Sequence, residues 1–400
     1  MNLKQIKIGD CCEVTSSKRI FYSEYVKSGV PFYRSKEIIQ SFNGKSTDDP
    51  LYISKEKYTQ ILDRFGVPSA GDMLLTSVGT IGIPYIVKDT DYFYFKDGNL
   101  TWFRNFNSNL YSKYLYYWIQ SPQGKGIINN STIGSSQKAL TISILKEISL
   151  LLPSLTIQQR IADILSAYEV MIENNNKQIK RLEEAAMLIY REWFVNLRFP
   201  GYEAAKIVDG VPEGWRKATF SDLCKLVKDG CSSKDISKGT HYIGLEHIPR
   251  RSMCLNEWGD SSEVSSNKYR YKVYDVLFGK IRPYFHKVGF AINEGVCSTD
   301  AMVFRANESL FELMLTTAFS DEFVKHSYVT CREGSKMPRA DWNEMSIYRV
   351  LLPTEEVLIA FNNTIRPYID LISVKCKQNH RFIETRDLLL PKLMSGEIEV

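Results

Sequence analysis

Nowhere in the 400 residues does an apolar run reach the roughly 18 residues that a membrane-spanning helix requires. No apolar stretch of signal-peptide type follows Met1-Asn2-Leu3-Lys4, so the chain is expected to be soluble, cytoplasmic and without a membrane partner. Metal and disulfide spacings are missing as well. The 8 cysteines include no Cys-x-x-Cys, and Cys11 adjoins Cys12, which suits neither a zinc cage nor a disulfide framework; they read as reduced core thiols. Of the 5 histidines only His241 and His247 lie close, and their spacing with Cys254 fits a structural role better than metal ligation. There is no Gly-x-x-x-x-Gly-Lys-Ser/Thr loop, no Gly-x-Gly-x-x-Gly, no His-Glu-x-x-His and no Gly-x-Ser-x-Gly, and Gly124-Lys125-Gly126 is too short to cradle phosphate. Without a cofactor loop, nucleophile motif or metal motif, the chain reads as a binding protein rather than an enzyme.

Charge of one sign is in small surplus, with a net charge of +5. Residues 1–153 hold 18 Lys and Arg against 13 Asp and Glu, and residues 213–353 hold 20 against 18; the stretches 154–212 and 354–400 hold 7 against 8 and 6 against 7. That excess on the globular stretches permits nucleic-acid binding without demanding it. Hydrophobic residues at 44% and charged residues at 24% are ordinary for a globular protein, and the length suits two domains plus something extended.

What is present is a repeat. Ile161, Leu165, Tyr168, Ile172, Asn175, Ile179, Leu182, Ala186, Ile189 and Trp193 step alternately by four and three residues, the heptad seam of a helix over about 157–197. Adding 200 gives Phe361, Ile365, Tyr368, Ile372, Lys375, Asn379, Phe382, Arg386, Leu389 and Leu393, still mostly apolar. Leu151-Leu152-Pro153 announces the first copy and Leu351-Leu352-Pro353 the second. A helix of roughly 40 residues is about 60 Å long. It cannot bury such a seam inside one compact domain, so the two copies are expected to pair antiparallel, seam to seam. Pro367 lies inside the second run and predicts a break or kink between Arg366 and Tyr368. Lys375, Asn379 and Arg386 are polar seam positions, which fix register at some cost in stability.

The rest of the chain repeats more loosely. Residues 1–153 carry strand-like stretches such as Val30-Pro31-Phe32-Tyr33 and Asp72-Met73-Leu74-Leu75, glycine turns, and a helix over 110–121 stopped by Pro122. In residues 215–353, Asp222 and Cys224 answer to Asp10 and Cys12, Asp275 to Asp72, Phe304-Arg305 to Phe103-Arg104, and Gly334-Ser335 to Gly134-Ser135. The fold class is therefore α+β: two similar globular domains, each with a twisted, mostly antiparallel sheet, joined by two long antiparallel helices in a pseudo-twofold internal repeat. The order is globule at 1–153, helix at 154–198, linker at 199–214, globule at 215–353 and helix at 354–400.

Groups that could read a polar polymer sit in glycine-rich loops after strands. Thr76, Ser77 and Gly79 offer small residues that let backbone N–H groups approach a phosphate. The corresponding loop in the second globule offers Lys280, Arg282 and Tyr284, where Lys and Arg can neutralise phosphate and Arg can pair with guanine. A plain turn between strands is the alternative for both loops. Further basic candidates are Lys18, Arg19, Arg34, Lys36 and Lys138 in the first globule, with Lys234, Lys238, Arg250, Arg251, Lys336 and Arg339 in the second.

Over nearly its whole length the chain resembles the specificity subunit of type I restriction-modification systems. Leu152-Pro153, Gln159-Arg160-Ile161-Ala162, Ile172-Glu173-Asn174-Asn175, Leu182-Glu183 and Trp193-Phe194 look like that family's central conserved region. Phe199-Pro200-Gly201 with Pro212-Glu213-Gly214-Trp215 looks like its passage into the second recognition domain. The most specific piece is Arg386-Asp387-Leu388-Leu389-Leu390-Pro391-Lys392-Leu393-Met394-Ser395-Gly396-Glu397-Ile398, similar to the C-terminal signature. Asp275-Val276-Leu277 through Lys280, Arg282-Pro283-Tyr284 and Cys297-Ser298-Thr299 is similar to one recognition-domain subtype, and Gly71-Asp72-Met73-Leu74 with Gly79-Thr80-Ile81-Gly82 to another. Gln158 departs from the Glu usual in the family and is expected to alter one local contact.

The resemblance implies two target-recognition domains, each reading one half of a split, asymmetric site in double-stranded DNA. The helix pair would then be a ruler for the unread spacer, about one DNA turn or some 34 to 36 Å. It also implies two methyltransferase subunits carrying S-adenosylmethionine and ATP-driven restriction subunits as partners, with no catalytic residue, metal or cofactor in this chain. The alternative is a helical scaffold joining two protein-binding domains without touching DNA; salt-dependent duplex binding separates the two.

Overall fold

A computed structural model describes residues 3–44, 47, 50–132, 138–331 and 337–400. The chain forms two compact units, Met1–Glu173 with Phe382–Val400, and Asn174–Arg381. The first long helix is Leu155–Tyr190, ending in a π-helical turn Arg191–Val195, and the second is Glu355–Ser395. Each helix therefore contributes to both units. In the first unit Ile161, Ala162 and Leu165 join Leu390 and Leu393 in one core with Ile8, Leu145 and Leu150, and Leu389 packs against it. Tyr168 meets Phe382 with ring centroids 6.2 Å apart, and Ile172 is half-buried. In the second unit Ile179 and Ala186 share a core with Phe361, Ile365 and Ile372, against which Leu182, Ile189, Trp193 and Tyr368 pack. Within each unit the two helix segments run antiparallel, low numbers of one beside high numbers of the other, as in the Trp193–Phe361 pair at 5.6 Å. The heptad seam is thus the buried stripe.

The break expected at Pro367 does not occur, because Glu355–Ser395 runs through it as one helix. Proline forgoes a single N–H bond, to the carbonyl of Asn363, and both residues are exposed, so water can satisfy that oxygen. Ile365 and Ile369 on the opposite face are fully buried and hold the flanking turns. The polar seam residues form a network. Asn175 donates to Asn379 Oδ1 at 2.9 Å, Asn379 donates to Asn176 Oδ1 at 2.8 Å, and Lys375 Nζ reaches Asn175 Oδ1 at 3.4 Å. Arg386 lies 3.9 Å from Glu169 and 2.8 Å from Asp387.

The sheet of each unit is split rather than single. In the first unit one four-stranded sheet contains Glu13–Thr15, Leu100–Arg104, Met73–Thr76 and Pro84–Ile86 in that order. A second contains Tyr25–Val26, Leu51–Ile53, Val30–Tyr33 and Tyr94–Phe95. The second unit has two five-stranded sheets, the first opening Cys224–Val227, Ala301–Ala306, Val276–Gly279 and Val288–Ala291. Pairing is antiparallel except for the last-named pair of the first unit's second sheet and two pairs in the second unit. The helix expected over 110–121 is Ser112–Gln120, and Pro122 starts a further helix, Pro122–Asn130, as its first residue.

The repeat extends to single bonds. Asn107 Nδ2 donates to the Asp10 carbonyl at 2.8 Å, and Asn307 Nδ2 to that of Asp222 at 2.9 Å. Asp72 accepts from the Ser69 N–H at 3.0 Å, and Asp275 from that of Lys272 at 2.7 Å. Cys12 and Cys224 both point Sγ at the carbonyl four residues earlier. Gly134-Ser135 and Gly334-Ser335 lie outside the described residues.

Two buried polar side chains fasten helix to globule. Gln158 is fully buried; its Oε1 accepts from the Tyr111 N–H at 2.9 Å, and its Nε2 donates to the carbonyls of Asn109 at 2.9 Å and Pro153 at 3.0 Å. A glutamate could not make the two donations. Glu183 accepts from the Met253 N–H at 2.7 Å and the Ser252 hydroxyl at 2.9 Å, and burial pushes its carboxyl up to about 7. Gln158→Glu should therefore lower the stability of the first unit by about 1–3 kcal/mol at neutral pH, read as a denaturant midpoint, since two buried carbonyls lose their donors. For Glu183 the folded pKa lies above the unfolded one, so the folded state binds more protons between them and wild-type stability falls as pH rises from about 4.5 to 7. Glu183→Gln keeps an acceptor and removes that loss. The melting temperature of the variant relative to wild type should rise across this window, and a difference independent of pH would contradict the assignment.

Candidate nucleic-acid interface

In the second unit the chain leaves strand Val276–Gly279 at Lys280, whose N–H donates to the Asp300 carbonyl at 2.8 Å and whose carbonyl accepts from Ala340 at 2.9 Å. A bridge pairs Ile281 with Arg339, and the Arg282 N–H donates to the Pro338 carbonyl at 2.8 Å. Backbone pairing thus gathers Lys280, Arg282 and Arg339 at one end of the sheet. Arg339 lies 3.1 Å from Asp300, and Lys280 Nζ donates to the Thr299 carbonyl at 2.6 Å. Burial lowers the Lys280 pKa; Asp300 opposes the shift, while the charges of Lys228 and Arg339 add to it. Lys228 follows strand Cys224–Val227 and belongs to the same cluster, which sequence reasoning missed.

Arg282 is held in an unusual way. It and His286 both adopt left-handed backbone, with φ of 52° and 53°, flanking the 3-10 turn Pro283–Phe285. Such a conformation costs an L-residue about 1–2 kcal/mol. The Nε of Arg282 is buried without a hydrogen-bond acceptor among the described residues. The guanidinium of Arg250 lies 3.8 Å from the Phe285 ring and that of Arg282 5.9 Å from the same ring. Stacking on an aromatic face leaves the N–H edges of a guanidinium turned outward. Tyr284 is 47% exposed and meets Phe285 and Tyr328 at 4.8 and 5.3 Å. Arg251 pairs with Asp321 at 3.0 Å, Lys234 and Lys238 are exposed on the loop before strand His241–Ile243, and Lys336 lies outside the described residues.

The equivalent loop of the first unit has the same frame and different chemistry. The Ser77 N–H donates to the Asn99 carbonyl, the Ser77 carbonyl accepts from Leu140, each at 2.9 Å, and Val78 bridges Ala139. Ser77 thus stands where Lys280 stands, and Gly79, with φ of 79°, where Arg282 stands. Thr76 and Ser77 present no side chain outward: both are buried, Thr76 Oγ1 accepts from the Ile83 N–H at 2.9 Å, and Ser77 Oγ bonds Thr101 Oγ1 at 2.7 Å. What remains accessible is Gly79 and, beside the bridge, exposed Lys138. Arg34 is engaged by buried Glu37 at 2.6 Å and Arg19 by Asp97 at 2.8 Å, while Lys18 lies 4.6 Å from the Phe65 ring and Lys36 is exposed.

Among the described residues no group of three His, Cys, Asp or Glu is placed to hold a metal ion, and no helix is long and apolar enough to cross a membrane. All 8 cysteines are free, and burial pushes the Cys12 and Cys297 thiols up to about 12. The His247 Nδ1 accepts from the Gly244 N–H at 3.0 Å, and His241 packs on Trp258 at 4.8 Å.

Residues 2–184 match the model of the type I restriction modification DNA specificity domain. The chain is 25% identical over 356 residues to the type I restriction enzyme MjaIX specificity subunit of Methanocaldococcus jannaschii, covering 82% of this chain and 78% of that one. It is 23% identical over 313 residues to the EcoDI specificity subunit of Escherichia coli, covering 70% and 69%. Its fold is similar to the crystal structure of a type I restriction-modification S subunit from M. genitalium, with a TM-score of 0.58 and 13% identity over 98% of this chain and 96% of that one.

The strain at Arg282 is open to measurement. Arg282→Gly should leave the second unit folded and raise its stability by up to about 1 kcal/mol, because glycine adopts the left-handed slot freely while losing more chain entropy. A lower denaturant midpoint for the variant would mean that the arginine side chain stabilises the loop.

Proposed function

We infer that this chain, which belongs to the family of type I restriction-modification DNA specificity subunits, reads a split, asymmetric sequence in double-stranded DNA, one half with each unit. The observation that carries this reading is the strand-end loop of the second unit. There a strained arginine whose Nε has no acceptor among the described residues stands beside Lys228, Lys280 and Arg339, while the same slot of the first unit holds Gly79. Strain and an orphaned polar atom oppose folding and are offset where a ligand completes them.

The chemistry follows from the residue types. Lys228, Lys280 and Arg282 neutralise backbone phosphates and release counterions, which gives affinity and register rather than sequence. At Gly79 no side chain stands between the backbone and the duplex, so N–H groups can approach a phosphate directly. Equivalent loops with unlike side chains would read unlike half-sites, which suits an asymmetric target. The two long helices, shared by both cores, would set the number of unread base pairs between the halves. This chain supplies the address and no catalytic group. The partners would be two methyltransferase subunits bearing S-adenosylmethionine and restriction subunits that consume ATP.

Titration of duplex DNA with the full chain across a range of salt concentrations tests the reading. Log affinity should fall linearly with log salt, and Arg282→Gly should weaken binding to all sequences alike and flatten that slope by about one unit. Binding that is absent, or indifferent to salt, would sink the proposal.

A further inference from the structure

One carboxylate stands where a DNA-binding face should have none. In the second unit strand His241–Ile243 ends in the turn Gly244-Leu245-Glu246-His247, with the His247 N–H donating to the Gly244 carbonyl at 3.1 Å. This turn abuts the cationic loop: the Leu245 carbonyl accepts from Lys287 Nζ, and a Cβ on Gly279 would lie 3.3 Å from the Leu245 side chain. Burial raises the pKa of the neighbouring Tyr242 phenol, and the charges of Glu246 and Asp300 add to the shift. Asp300 is spent on Arg339 at 3.1 Å. Glu246 is not: its side chain is 66% exposed, and among the described residues the cation-capable group within reach is His247 at 3.9 Å, whose Nδ1 already accepts from Gly244. A side chain at Gly244 would push the Glu246 carboxylate aside from this pose.

The first unit has the same turn with the opposite charge. The Ser298 N–H donates to the Ile243 carbonyl at 2.9 Å as the Lys96 N–H donates to that of Tyr33 at 2.8 Å, which aligns Ile243 with Tyr33. The Arg34 N–H donates to Glu37 at 2.7 Å as the Gly244 N–H donates to His247, so Glu37 and His247 are equivalent caps. Glu246 therefore occupies the position of Lys36, also exposed. One framework presents a cation in one unit and an anion in the other.

A carboxylate cannot bind phosphate, and among cations that do bind it an unpaired one repels the backbone. Its useful partner on a duplex is a hydrogen-bond donor on a base edge. We propose that Glu246 is a specificity-determining residue that accepts a hydrogen bond from an exocyclic amino group in the major groove, cytosine N4 or adenine N6, in the half-site read by the second unit. This rests on the DNA-recognition reading above.

The test maps the methylated motif in DNA from cells carrying the full chain with its methyltransferase partners, for wild type, Glu246→Gln and Glu246→Lys. A carboxamide both donates and accepts, so Glu246→Gln should make one position of one half-site degenerate, with preference for its base down about tenfold to a hundredfold and the other half unchanged. Glu246→Lys should move that position toward a base with an acceptor edge. Which base the wild type demands separates cytosine from adenine. Binding to unrelated duplex should be unchanged or tighter in both variants, whereas a purely structural role would weaken all sequences together. A wild-type motif that survives both variants intact overturns the assignment of Glu246 alone; a wild-type complex that marks no defined motif overturns it together with the DNA-recognition reading.

Discussion

Burial of the helix seam is the constraint on which the rest depends. The largest core of each unit is completed by a segment of each long helix: Leu165 and Leu393 lie among the strands and short helices of the first unit, Ile179 and Ile365 among those of the second. Hydrophobic burial is indifferent to register, so a seam of Ile, Leu and Phe could in principle slide by a heptad. The Asn175, Asn176, Lys375 and Asn379 network removes that freedom, because a shifted pair would strand buried amides without partners. Stability comes from the apolar seam and uniqueness from its polar interruption.

The recognition chemistry is laid over a bond pattern that the two units share. Asp72 and Asp275, and Asn107 and Asn307, make the same connections with the same side chains, while Ser77 and Lys280 make the same backbone connections with side chains that have little in common. Backbone geometry is thus held constant while outward groups vary. Gly79 and Arg282 mark the limit of that freedom, since the slot is left-handed in both units and only glycine fills it without strain.

Sequence periodicity carried the long helices and their pairing because a heptad seam is a direct image of burial. The repeat of Asp10, Cys12, Asp72 and Phe103 was legible for a related reason, as each makes a local bond or fills a core position that recurs. Side-chain direction was not. Thr76 and Ser77 read as loop hydroxyls, yet the strand turns both inward, and hydroxyls satisfied inside a sheet look the same in sequence as hydroxyls offered to a ligand. Lys228 and Glu246 escaped notice because the cationic loop beside them comes from a strand distant in sequence, and drifting loop lengths hide which residues are equivalent. Pro367 misled because its missing bond falls on the solvent side, a fact that depends on which face of the helix is packed. Gln158 stood out in the sequence, but its three bonds explain why an amide and not a carboxylate occupies that place.

The division of the helices also sets an order in time. Residues 174–381 contain everything the second unit needs, whereas the core of the first takes Leu390 and Leu393 from the far end of the chain. On the ribosome, which adds about 5–20 residues per second, the segment ending at Glu173 waits roughly 10 to 40 seconds for its missing strip of helix. During that interval Ile161 and Leu165 lack the side of their core that Leu390 and Leu393 supply, and the unit encoded later can close before the one encoded first. A nascent chain of this architecture has a half-built N-terminal core for most of its synthesis, which is the period in which a chaperone or a second nascent chain would find it.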